Sequence, residues 1–276
     1  GTGLKYYISE GGAYKDITPL RVASSAVTFA AGADTLDGAI SATAQSIVLD
    51  SASGFPTGGG RILIGSEQIT YGAISTATLT GCVRGVNGTT AAAHSDGVAV
   101  TCCTLSVTDS DGHGALENDF VTFSGAATLG GVIIADVLNQ EYQVTHVVSA
   151  TVFQIEARAV ATISEITTTS GLNPTFVFAN TSDSGNGGGS SVGAYQINTG
   201  LDTSVQGTGW GAGTWGRGTW DSASDLTAGG NTLRIWSHDN FGEDLLMNVR
   251  DEGIFYWDKT NGVTARAVSL ASLGVA

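Results

Sequence analysis

No window of this sequence carries an apolar stripe at helical spacing, and that absence constrains the fold more than any single motif. Forty glycines break the chain up, Thr, Ser and Ala are abundant, and the long helix formers Lys, Glu and Arg are scarce. The chain is therefore expected to be mostly strand and turn. Its 276 residues hold one large domain or two to three small ones, with ample length for a real core.

The formal charge of −14 argues against a surface that grips phosphates, which needs clustered Lys and Arg. Such acidity favours solubility and repels nucleic acid. Cys82, Cys102 and Cys103 are odd in number and lack CxxC spacing. They read as buried free thiols rather than a zinc site or a disulfide framework. No apolar run is long enough to span a membrane, and no signal peptide is visible. The chain opens on Gly1 and stops at Leu273-Gly-Val-Ala276 without a terminal feature, which reads as an internal piece of a longer polypeptide.

Residues 4–20 place two aromatic runs around Ser9-Glu-Gly-Gly12, a hairpin pattern. From 36 to 100 the text alternates and turns: Ser46-Ile-Val-Leu49, Ser53-Gly-Phe-Pro56, Arg61-Ile-Leu-Ile-Gly-Ser-Glu-Gln-Ile-Thr-Tyr71. A second run of strands extends from 104 to 178, including Asp119-Phe-Val-Thr-Phe123 and Val152-Phe-Gln-Ile155. Ser182-Asp-Ser-Gly-Asn-Gly-Gly-Gly-Ser-Ser191 reads as a linker with no capacity to bury a core. Near the end, Leu233 to Asp258 spans three short apolar runs closed by turn residues, a β-meander.

Between linker and meander, Trp210, Trp215 and Trp220 recur at every fifth residue with glycine packed between them. Five fits neither a strand nor a helix, so the stretch reads as an irregular loop whose indoles plug into neighbouring surface. Three readings stay open: local core, contact with a partner subunit, or a sugar-stacking platform. Trp236 and Trp257 join these three as candidate oligomer or partner contacts.

Catalytic spacing is missing. No GxSxG, HExxH or P-loop occurs, and the four histidines lie far apart. Asp109-Ser-Asp-Gly-His-Gly114 is similar to the start of a calcium loop, with Asp109, Asp111 and Glu117 as weak ligands. Phe120 stands where such a loop requires a bidentate Glu. No metal, no cofactor and no enzyme activity are expected.

Gly81-Cys-Val-Arg-Gly-Val-Asn-Gly-Thr-Thr-Ala-Ala-Ala-His94, with the Ser53 and Ile64–Tyr71 text, resembles a small β module of tailed-phage virion proteins. Asp119–Gly125 and Leu138–Val144 look like another such module. The Gly–Trp loop with Trp236-Ser-His-Asp-Asn-Phe-Gly-Glu-Asp-Leu245 and Ile254-Phe-Tyr-Trp-Asp258 resembles tail nozzle or tube proteins of short-tailed marine phages. The resemblance implies a structural virion subunit in a ring of its own copies, six-fold in such nozzles. Other tail proteins would touch it, and DNA would pass without being gripped. The rival expectation is a receptor-binding or glycan-degrading tail protein.

The expected fold class is all-β and multi-module: a partial β-propeller-like sheet with two inserted small β-sandwich or barrel modules. Its expected parts are a hairpin at 1–35, modules at 36–103 and 104–180, a linker at 181–206, and the loop with its meander at 207–276. The two modules are expected to be insertions, with the chain's ends meeting in one sheet system.

Overall fold

The computed structural model describes residues 5–22, 26–160, 175–197, 199, 235–250 and 252–274. Trp210, Trp215 and Trp220 lie outside them, as does most of the expected 181–206 linker beyond residue 199. The described chain is all-β, in six separate antiparallel sheets with no closed barrel. It divides into two compact units. One comprises Gly1–Arg21 with Gln196–Ala276, and the other Val22–Tyr195.

The larger unit holds two cores. In the first, alternation drives Glu67, Ile69 and Tyr71 of the strand Glu67–Tyr71 inward. That strand closes a sheet ordered Ala33–Thr35, Ala99–Cys102, Gly60–Ile64, Glu67–Tyr71. A three-stranded sheet, Ser46–Val48, Thr78–Thr80 and Ala73–Ser75, supplies Ile47 and Leu79 to the same core. The second core is larger and aromatic. Phe29, Leu105, Val107 and Phe153 from one four-stranded sheet meet Val121, Phe123, Tyr142 and Tyr195 from another. Phe29 meets Phe123 edge-on at 5.0 Å, a favoured arrangement for aromatic quadrupoles.

The two modules are nested, where the sequence reading placed them one after the other. Val27–Ala30 pairs with Thr104–Asp109 in the second module's sheet, and Ala33–Thr35 pairs with Ala99–Cys102 in the first module's. One antiparallel ribbon, residues 27–35 against 99–109, therefore crosses both sheets. Ala30 faces Ser106 while Ala33 faces Thr101, so Ala31 and Gly32 oppose Cys102 through Leu105. The two extra residues form a bulge that lets the ribbon turn from one sheet into the other. Cys103 is the pivot: its N–H donates to Arg61 O at 3.1 Å, and its carbonyl accepts from Ala157 N at 2.7 Å.

This pairing moves the expected boundary at residue 35. Residues 26–35 belong to the larger unit because their backbone groups are spent on its two sheets. The linker reading also fails over residues 181–196. Asp183 and Ser191 are buried, and Val192–Gln196 is a strand paired to Phe120–Ser124. Glycine–serine text can still be pinned when its own backbone supplies the bonds.

The smaller unit is built from both ends of the chain. Tyr7–Glu10 and Ala13–Asp16 form a hairpin whose turn residues, Gly11 and Gly12, have φ of +59° and +84°. Two consecutive positive φ angles match the right-handed strand twist, and glycine adopts them without strain. The meander is a four-stranded sheet: Trp236–Phe241, Asp244–Val249, Ile254–Trp257, Val268–Ser269. Ile17 and Ile197 share one core with Met247, Val249, Phe255, Trp257 and Ala267. A single four-stranded meander has the strand order of one propeller blade.

Candidate functional site

Among the described residues, three polar clusters and two clefts concentrate the chemistry of this fold. The tightest cluster sits in the first module. Glu67 is 1 % exposed at the end of its strand. Arg84 Nε donates to its Oε1 at 2.8 Å and Arg84 Nη2 to its Oε2 at 2.7 Å, a bidentate pair. His94 Nε2 meets Oε2 at 2.8 Å, and the amides of Gly85 and Ala92 each donate at 3.1 Å. Arg84 also donates to the carbonyls of Ser41 and Ala92, both at 2.6 Å. Burial pushes the Glu67 carboxyl up, but Arg84, His94 and the Ala92 amide outweigh it and hold it down to about 2. The cluster ties the glycine-rich segment 84–94 to the sheet, and every donor in it is occupied by structure.

Asp183 makes the second cluster. Its carboxylate accepts from the amides of Gly131 at 2.8 Å, Val132 at 3.1 Å, Ile133 at 2.9 Å and Asn180 at 2.9 Å. A Cβ on Gly131 would lie 2.7 Å from Asp183 Oδ2, so the nest needs glycine there. The third cluster belongs to the smaller unit. Asp16 Oδ1 accepts from the Thr18 amide at 2.9 Å and from Arg266 Nη1 at 2.8 Å, and Lys5 Nζ lies 3.0 Å from Oδ2. Burial opposes ionisation of Asp16, but the Thr18 bonds, Lys5 and Arg266 together hold its carboxyl below the usual range.

The clefts flank the ribbon where the two modules join. One, about 300 Å³, is lined by Gly58, Gly60, Tyr71, His146, Gln154 and Glu156 among others. At that seam Arg61 Nε donates to Glu156 Oε1 at 3.1 Å, and its guanidinium lies 4.4 Å from the Phe176 ring centre. The other, about 550 Å³, lies along residues 28–33 and faces residues 180–186.

The calcium reading of the Asp109 turn does not hold. Asp109 is buried and accepts from Tyr195 Oη at 2.9 Å and from the Asp111 amide at 3.2 Å. Glu117 is committed to His146 Nδ1 at 2.6 Å, and Asp111 is exposed on the turn. Among the described residues no three His, Cys, Asp or Glu side chains group to hold a metal ion. His113 closes the same turn. Its Nδ1 accepts from the Ala115 amide at 3.0 Å, so its Nε2 carries the proton donated to Ser149 O at 2.8 Å.

Of the candidate contact tryptophans, Trp257 is core: it is 3 % exposed, and its Nε1 donates to Ala265 O at 3.1 Å. Its strand alternates, so Phe255 and Trp257 point inward while Ile254 faces solvent. Trp236 is half-buried with its ring centre 5.2 Å from that of Tyr6. Cys82, Cys102 and Cys103 are free and buried, and burial pushes the Cys82 thiol up to about 11 and the Cys102 thiol up to about 12. Sequence reasoning passed over Glu67, Arg84, Arg61, Asp16 and Asp183. A Glu inside an alternating apolar strand, on the inward parity, was the one available signal. No protein-family profile, curated protein or solved structure matches the chain.

Proposed function

We propose that this chain is a structural, non-catalytic component of a phage virion tail. It is a nozzle or tube subunit that forms part of the DNA exit channel or its outer decoration. The observation that supports this reading is how the described acids are used. The four buried carboxylates, Glu67, Asp109, Asp119 and Asp183, all accept bonds that close turns or pin strands. A general acid or base needs a lone pair or proton aimed at a substrate, and Glu67 and Asp183 turn both carboxylate oxygens to donors of their own fold. The net charge of −14 suits a wall that DNA passes without sticking.

In this reading the subunit works as a ring of its own copies, six-fold as in the nozzles it resembles, beside other tail proteins. No described helix is long and apolar enough to cross a membrane. Trp215 and its neighbouring indoles supply apolar anchors at the contact between copies. A reconstruction of the virion tests the assignment directly: density for this chain outside the tail overturns it. Sedimentation of Trp215→Ala tests the anchor: the variant is expected to lose assembly while residues 36–178 keep their fold, and an intact ring refutes the role.

A further inference from the structure

The meander of the smaller unit has two apolar faces, and its own core covers one of them. Strand parity turns Leu245, Met247, Val249, Phe255 and Trp257 towards the core that also holds Ile17 and Ile197. The opposite parity sets a row straight across the sheet. Asp239, Leu246, Tyr256 and Val268 stand side by side on four neighbouring strands. Leu246 and Tyr256 are half-buried, Val268 is 44 % exposed, and Ile254 beside the row is 50 % exposed. This face carries little charge. Of its two carboxylates, Asp244 accepts from Lys259 N at 3.0 Å and from Tyr256 Oη, and Asp239 stands at the rim of the row.

We propose that this outer face pairs two copies of the chain, sheet against sheet. The distribution of charge selects a second copy as the occupant. Residues 22–195 carry 14 acids against three arginines, a net −11, while the two terminal stretches carry 11 acids against eight cations, a net −3. All three arginines of the larger unit are bonded within it: Arg61 to Glu156, Arg84 to Glu67 and Arg158 to Glu141 O. Two copies therefore repel through their larger units and approach through the nearly neutral smaller ones, whereas a basic partner is drawn to the larger unit. The row is also self-complementary. A copy turned over about an axis along the strands sets Leu246 against Tyr256 and Asp239 against Val268, so the two Asp239 carboxylates end at opposite rims. Sheets stacked this way lie about 10 Å apart and take water off Leu246, Ile254, Tyr256 and Val268. One patch serves both copies, so the contact closes at two. It is separate from the Trp215 anchor and does not depend on the tail assignment.

Sedimentation of the full chain carrying Trp215→Ala, over a series of concentrations, tests the pairing with the ring anchor removed. Pairs are expected to form as concentration rises, and hydroxyl-radical labelling of Ile254 and Tyr256 to fall as they do. Adding Ile254→Glu puts a charge inside the contact and is expected to weaken pairing about tenfold or more. Adding Val83→Glu instead puts the same charge at a 58 % exposed position of the larger unit and is expected to leave pairing unchanged. Both positions are open, so far-UV circular dichroism should stay native in each. Four results overturn the proposal. The chain stays single at every concentration; the two glutamates weaken pairing alike; association grows past two copies; or Ile254 and Tyr256 are already shielded in the single chain, which makes the chain's own residues the cover.

Discussion

The innermost module and the unit made from the chain's ends each hold a carboxylate between cations, yet they close very different lengths of chain. Glu67 reaches Arg84 and His94 across 17 and 27 residues. Thr18, beside Asp16, and Arg266 stand 248 residues apart. A ninefold longer loop is about three doublings, which costs about 2 kcal/mol of extra closure entropy if the loop is unstructured. The larger unit shortens that loop. Its exit and return strands, Leu20–Val22 and Val192–Gln196, are neighbours in one sheet. Once they pair, the ends need only close locally. The difference teaches that stability should run from the inside out: the first module supports itself, and the terminal unit depends on what lies between its halves.

The most damaging way to break this order is Glu67→Ala, which strands Arg84 as an unpaired charge in a nearly closed site. About 3–5 kcal/mol of stability is expected to be lost in denaturant titration, and a loss under about 1 kcal/mol would mean that water reaches the pair. Acid probes the same group. Its folded pKa of about 2 lies below its ordinary 4.5, so its contribution is complete above pH 4.5 and drains away as pH falls towards 2. Glu67→Gln should flatten stability against pH in that window.

Asp183→Ala comes next, because four amides then face a cavity without an acceptor. About 2–3 kcal/mol of stability is expected to be lost, read at labelled probes in the second module. Arg61→Ala cuts the seam, removing both the ion pair with Glu156 and the contact over Phe176. About 1–2 kcal/mol is expected, and calorimetry should resolve one transition into two. Persistence of a single transition would show that the ribbon alone couples the modules. Asp16→Asn is the mildest change, about 1 kcal/mol, and it tests the comparison from the other side. Emission from Trp236 and Trp257 should shift at lower denaturant, with the first module unaffected.

Much of the local text was legible. The hairpin at Gly11-Gly12, the alternation of Glu67–Tyr71 and the three-run meander all follow from period-two patterning bounded by turn residues. The nesting was not, because Val27–Ala30 and Thr104–Asp109 are unremarkable strands apart; only their mutual register shows that one ribbon serves two sheets. The site residues were hidden for a related reason. Asp183 sits in text that reads as linker, and its value comes from amides about 50 residues away. Trp257 looked like a surface anchor because indoles are common at interfaces, but strand parity turns it into the core.

By itself, then, the sequence determined the all-β class, the turns and the inward parity of most strands, since these depend on neighbours within a few residues. It also determined the acidity and the lack of catalytic spacing, which are properties of composition and order. Tertiary structure alone decided the nesting of the modules and the partners of the acids that it buries. Each of these is a matter of which distant backbone groups find partners, and hydrogen-bond satisfaction is accounted for across the whole fold rather than along the chain.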